Sequence, residues 1–154
     1  MTDVLPRRTL LTVEQQAREE EIAQEVALHF NRSTLKIGDD HYDREKSRID
    51  RLLHDGMCIT SFFEHKSCGY AFRERAYWAV GAKKVDAARQ LHLVVRVPVF
   101  FAVSFSCGTI GILRSTSSFT RLKDFGRSDR GQGAADYEIG APFEWDQFNP
   151  VWKP

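Results

Sequence analysis

The chain has 154 residues, enough for one domain with a core of its own. Hydrophobic residues make up 42% and charged ones 28%, as in ordinary globular proteins. No apolar run reaches the ~18–20 residues that a bilayer-spanning helix needs, so no membrane partner is expected. The net charge of +1 conceals a division: residues 1–65 carry 9 Lys/Arg against 13 Asp/Glu, and residues 66–154 carry 13 against 8. Acids gathered at a metal and bases turned toward nucleic-acid phosphate would produce such a split, and chance would produce it about as readily.

Cys58, Cys68 and Cys107 are odd in number and contain no CxxC pair, which favours a reducing cytosol and supplies no zinc framework. The opening MTDVLPRRTLLTVEQQ lacks the apolar core of a secretion signal, and residues 1–12 read as a loose arm. Thr12 is a plausible cap for a helix over 13–31. There Ile22, Val26 and Phe30 recur at helical spacing, and Glu14, Glu19, Glu20 and Glu21 crowd the early turns where the helix dipole favours them. A short strand is expected around Leu35–Ile37, before the break at Gly38-Asp39-Asp40.

The segment SRIDRLLHDGMCITSFFEHK predicts two strands folded about Asp55-Gly56, a strong hairpin signal. Residues 74–95 read as a helix, with Ala87, Ala88 and Leu91 as its packing stripe and Gly81 as a break or a start. The almost wholly apolar VPVFFAVSF (97–105) suits a strand covered on both faces. The helix between it and the Glu64 strand is long enough for a crossover, which makes the two strands parallel. Ser106–Gly108 turns the chain into a further strand over Thr109–Arg114. Residues 115–136, rich in Ser, Gly, Arg and Asp, read as a mobile loop, and a short strand is expected at Tyr137–Ile139. Phe143, Trp145, Phe148 and Trp152 should pack back onto the domain. The resulting architecture is a single α/β domain with a mixed sheet flanked by helices.

In FFEHK, Glu64 and Lys66 are two apart and share one strand face. Asp50, on the other arm of the hairpin, can approach Glu64. Two carboxylates and a lysine on one patch suit Mg²⁺-assisted phosphodiester hydrolysis: hard oxygens hold the ion, with Mn²⁺ as the alternative metal, and the lysine positions water or offsets charge. The bland reading is a surface ion pair beside an ordinary strand Asp. Asp43 is a rival acid whose neighbours read as loop. His29, His41, His54 and His92 show no metal-ligand spacing, and His65, between Glu64 and Lys66, should point away from them.

An acidic helix, RIDRLLHDG, FFEHK, a helix with AKKVDAARQL and then PVFFAVSF together resemble the PD-(D/E)XK nuclease superfamily, and within it the small phage and prophage members. The resemblance runs over roughly residues 13–148, leaving 149–154 as a tail, and implies a restriction-endonuclease-like fold. It implies that Asp50 and Glu64 bind the metal with the His65 backbone carbonyl, and that Lys66 assists the water. It further implies that Lys84 contacts phosphate and that a first-helix acid, Glu25 or its rival Glu21, supports the site. The function that follows is a Mg²⁺-dependent DNA endonuclease of phage or prophage type in the bacterial cytoplasm. A homodimer would suit a junction resolver or a double-strand cutter. The rival is a non-catalytic DNA-binding or phage assembly module on the same fold. Arg114, Arg121, Lys123, Arg127 and Arg130 form a basic run, read either as a solvated loop or as an arm on DNA phosphates. Lys83, Lys84 and Arg89 of the second helix are the other basic surface.

Overall fold

The computed structural model describes residues 12–37, 49–126 and 137–151. Helix α1, Val13–His29, begins in a capping box: Gln15 N–H donates to Thr12 Oγ1 at 3.2 Å, and Thr12 N–H donates to Gln15 Oε1 at 2.9 Å. Its buried stripe is Ile22, Ala23, Val26 and Ala27. Strand β1, Ser33–Lys36, pairs antiparallel with β2, Arg51–His54. The β2–β3 hairpin forms at Asp55-Gly56 as expected. Asp55 Oδ1 accepts the N–H groups of Met57 and Cys58, both at 2.9 Å, and Gly56 takes φ +98, which glycine adopts freely. Strand β3 spans Ile59–Ser67.

The expected helix over 74–95 divides in two. Trp78–Gly81 is a strand, β4, and only Ala82–Val95 is helical, as α2, with Gly81 at its N-cap. Aromatic and β-branched Trp78 and Val80 suit a strand, and what selects it is pairing with a distant partner: Trp78 lies opposite Phe143 and Gly81 opposite Gly140. Strand β5, Val99–Ser104, is buried at all six positions. Strand β6, Ile110–Arg114, follows a turn in which Gly108 takes φ +87.

The segment 115–136 is not loop throughout. Lys123–Gly126 forms strand β7, which pairs with β8, Tyr137–Phe143, because the β8 edge would otherwise leave its backbone groups unmatched. Residues 127–136 lie outside the described residues. A short 3-10 turn, Trp145–Gln147, leads to β9, Asn149–Val151, which joins the main sheet where a tail was expected. Trp152 lies outside the described residues.

The main sheet has the order β1-β2-β3-β5-β6-β9, and β4-β8-β7 form a second sheet. β3 and β5 are parallel, from Phe62 opposite Val99 to Ser67 opposite Ser104, as the crossover reading requires. Two cores follow from the period of two along each strand. On one face, α1 covers Leu53, Phe63, Phe100, Ala102, Ile110 and Ile112. On the other, α2 and the small sheet cover Phe101, Val103, Phe105 and Leu113 through Val85, Ala88, Trp78, Ala141 and Phe143. Phe63 and Phe101 are fully buried, each contributing roughly 1.5–3 kcal/mol of transfer free energy. Phe62, Glu64 and Lys66 therefore face α2, and Phe63 and His65 face α1.

Candidate active site

β2 and β3 pair only as far as Arg51 opposite Phe63. Beyond that point β3 runs on, leaving the backbone N–H and C=O of His65, which turn to that side, without a β2 partner. Asp50, the residue before β2, occupies the gap: its Oδ2 accepts the His65 N–H at 3.1 Å. The next residue, Arg51, reaches to the α1 side, where its guanidinium donates to Glu20 Oε2 at 2.6 Å. Arg51 is 5% exposed, so this pair ties the start of β2 to α1 and fixes where Asp50 begins. Sequence reading passed over Arg51. The signal was its place beside Asp50, opposite an acidic helix.

Glu64 is 2% exposed and takes two ammonium groups on one oxygen. Lys66 Nζ lies 2.5 Å from Oε1, and Lys84 Nζ, from the first turn of α2, lies 2.7 Å from the same atom. Oε2 is buried and has no hydrogen-bond partner among the described residues. A buried carboxylate oxygen left bare costs roughly 1–3 kcal/mol or more.

The electrostatics agree with the geometry. Burial pushes the Asp50 carboxyl above its usual range, and the Glu64 charge beside it pushes the same way, against Lys66 and Lys84. Burial lowers the Lys66 ammonium, with Glu64 opposing. Lys84 also feels burial, but Glu64 overcomes it and holds the ammonium up. His65 points to the α1 face, as expected from strand alternation, with Nε2 2.9 Å from Ser104 Oγ. Burial, then Lys66 and Arg51, lower its pKa to about 4, so its ring is neutral at pH 7.

Not every candidate joins this cluster. Glu25 and Glu21 sit on α1, across the sheet from Glu64, lining a shallow cleft with Arg18, Ser104 and Gly108. Which face of a sheet a helix covers is set by topology, and α1 covers the face that Glu64 turns away from. Lys83 is exposed on α2, and Arg121 and Lys123 are exposed at and before β7. Arg89 is occupied in structure: its Nε donates to the Ser115 carbonyl and a terminal nitrogen to that of Ser117, both at 2.8 Å, with its head over the Phe119 ring. Arg127, Arg130 and Asp43 lie outside the described residues.

Among the described residues, no three His, Cys, Asp or Glu side chains gather into a ready metal cage. The donor set nonetheless fits a hard divalent cation. Asp50 and the bare Glu64 Oε2 offer carboxylate oxygens, and the two groups are near enough for the Glu64 charge to act on Asp50. The His65 carbonyl leans to the same strand edge as its N–H, which bonds Asp50. Magnesium is commonly held by one or two carboxylates and completes its shell with water.

A mixed sheet between two helices, with an Asp at the mouth of a hairpin and Glu-x-Lys on its second strand, defines a PD-(D/E)XK-like single domain. The chain belongs to a phage PD-(D/E)XK endonuclease family: the family described as "Phage putative PDDEXK endonuclease" matches residues 7–151. No curated protein matches the chain.

Proposed function

We propose that the protein is a metal-dependent deoxyribonuclease that hydrolyses DNA phosphodiester bonds in the bacterial cytoplasm, with Mg²⁺ as its ion and Mn²⁺ as a substitute. The observation that carries this reading is the convergence of Asp50, Glu64, Lys66 and Lys84 on the open edge of β3, with Glu64 Oε2 buried and unpartnered among the described residues. Asp50, Glu64 Oε2 and the His65 carbonyl would hold the ion. When bound, the ion would supply Lewis-acid polarisation of a phosphoryl oxygen and would lower the pKa of a water so that hydroxide is available near neutral pH.

The chain's own residues do the rest. Lys66, on the same face as Glu64, orients the attacking water and offsets the negative charge that grows on the phosphoryl oxygens. Its lowered pKa brings it closer to proton exchange with that water than a free lysine would be. Lys84 shares Glu64 with Lys66 and keeps its proton, so it serves as a fixed positive charge for a phosphate. Glu25 and Glu21, on the opposite sheet face, have no role in this scheme.

The test is a panel of supercoiled plasmid, linear duplex, single-stranded and branched DNA, incubated with the purified chain in Mg²⁺, Mn²⁺ or EDTA. Cleavage of at least one substrate should require the metal and vanish in Glu64→Ala. A wild-type protein that cuts none of the four in either metal, while remaining folded, would overturn the reading in favour of a non-catalytic module.

A further inference from the structure

We propose that the segment Tyr70–Tyr77 between β3 and β4, with Lys123 of β7 beside it, is a DNA-backbone docking surface on which Arg73, Arg75 and Lys123 take the phosphates of a bound duplex. This inference rests on the deoxyribonuclease reading. No sequence signal marks the segment, because its cations are interleaved with aromatic and acidic residues and form no run.

Position favours it first. The segment leaves β3 just past Lys66 and returns through β4 to α2, whose Lys84 meets the same Glu64 oxygen as Lys66. Both ends thus join elements that carry a residue of the candidate site. Tyr70 is four residues beyond Lys66, at most about 14 Å by chain reach. That is roughly four base steps at 3.4 Å each along one strand. The segment therefore begins within about four base steps of the candidate site, and Arg73 and Arg75 extend it in the direction a bound strand would continue.

The segment is also tied to its surroundings by hydrogen bonds. Cys68 N–H donates to the Ser104 carbonyl at 2.8 Å, and Ser106 N–H donates to the Tyr70 carbonyl at 3.1 Å. Ala71 N–H donates to Glu74 Oε2 at 2.6 Å, and Trp145 Nε1–H donates to the Arg75 carbonyl at 2.6 Å. These bonds pin the segment to the β5–β6 turn and to the aromatic cluster of Phe72, Phe105, Trp145 and Phe148. Glu74, the acid between the two arginines, turns Oε2 inward to that bond.

Its cations, finally, are held by rings. Arg75 lies 4.3 Å from the Tyr70 ring centroid, Arg73 5.3 Å from that of Phe72, and Lys123 4.3 Å from that of Tyr77. A ring fixes the place of a cation while leaving its N–H donors free to face a ligand. Arg73 and Arg75 are exposed, and among the described residues no carboxylate lies within ion-pair distance of either. Arg73 also sits at φ +66, a conformation glycine adopts without cost and an L side chain does not. A position that would fold more easily as glycine carries a guanidinium instead.

The test is duplex binding by the full chain in EDTA, followed by fluorescence anisotropy over a series of salt concentrations. The variants are Arg73→Gly, Arg75→Gln, their double, and Arg96→Gly as the control. Arg96 has φ +57 at the C-terminal end of α2, away from Lys84, so its replacement relieves the same backbone conformation away from the segment. Each arginine lost should flatten the slope of log K against log salt by about 0.9, and the double by about 1.8. Arg73→Gly should melt no lower than wild type, and Arg96→Gly should bind as wild type. If wild type binds DNA and the double variant keeps its slope, the docking surface is overturned and the nuclease reading stands. The docking surface is likewise overturned if binding falls only in Arg73→Gly and in step with a lowered melting temperature. A wild type that neither binds nor cuts duplex, single-stranded or branched DNA overturns both.

Discussion

Asp50→Asn should make the metal-free protein more stable while abolishing its activity. In the fold, Asp50 is held above the usual carboxyl range by burial and by the Glu64 charge, with Lys66 and Lys84 opposing. An ionised Asp50 therefore costs the native state free energy at neutral pH. Asparagine keeps the shape and the oxygen that accepts His65 N–H at 3.1 Å, and it removes the charge. Relieving one unfavourable charge in this way gains roughly 0.5–2 kcal/mol, and about 1 kcal/mol is expected here because the attraction to the two lysines is lost as well. For a chain of this size that corresponds to a rise of about 2–4 °C in melting temperature. The pH course has a definite sign. The folded pKa lies above the ordinary value of 3.8, so wild type loses stability as pH rises from 3.8 through the folded value. The advantage of Asp50→Asn is therefore absent below 3.8, grows through that window and is complete above the folded value. Thermal melts of both proteins in EDTA over pH 4 to 7, with plasmid cleavage in Mg²⁺ alongside, measure it. A variant that melts below wild type at pH 7, or whose gain does not change with pH, would refute the account of Asp50 as a crowded, desolvated carboxylate.

Lys66→Ala should abolish cleavage at saturating DNA, whereas Lys84→Ala should reduce it by about 10–100-fold, since its phosphate contact is one of several; single-turnover rates separate the two. Calorimetric titration of wild type with Mg²⁺ should show weak binding that Glu64→Ala removes, and tight stoichiometric zinc in the purified protein would contradict the hard-oxygen site. Gly111→Ala should destabilise by about 1–3 kcal/mol in a denaturant melt, because its Cβ would meet Phe148 Cδ1 at 2.8 Å and Phe105 Cε2 at 3.2 Å inside the packed aromatic cluster. Replacing Arg121, Lys123, Arg127 and Arg130 together by Gln should flatten the salt dependence of duplex binding while leaving the rate on saturating DNA intact. An unchanged slope would move the basic surface off that stretch.

Local chemistry made much of this legible. Asp55-Gly56 fixed the hairpin because few residues accept φ +98 in a tight turn, and the apolar run 97–105 suited the doubly covered strand that forms there. The approach of Asp50 to the Glu64 strand followed from that hairpin, although the end of the β2–β3 ladder at Phe63 did not. Trp78–Gly81 reads as one piece with α2 because its partner in β8 lies about sixty residues downstream, and the aromatic and β-branched residues with Gly81 are too short a signal to separate the two. Pro150, which ordinarily argues against a strand, hid β9 at the sheet edge, where a missing donor is tolerated. Glu25 lies on α1 beside its inward-facing stripe, yet no periodicity says which side of the sheet the helix will cover.

The open side of β3 has a consequence for the fate of the protein in a crowded cell. A strand side without a neighbouring strand is a template on which a second chain can add itself; among the described residues no strand pairs this side of β3 past Phe63, and it continues a strand holding two adjacent phenylalanines. Here the donor of His65 on that side is already taken by Asp50, and Lys66 and Lys84 line the approach with charge. The groups that open the strand to a phosphate thus also deny it to another polypeptide, so a variant stripped of Asp50 and Lys66 together would lose its protection against self-association along with its chemistry.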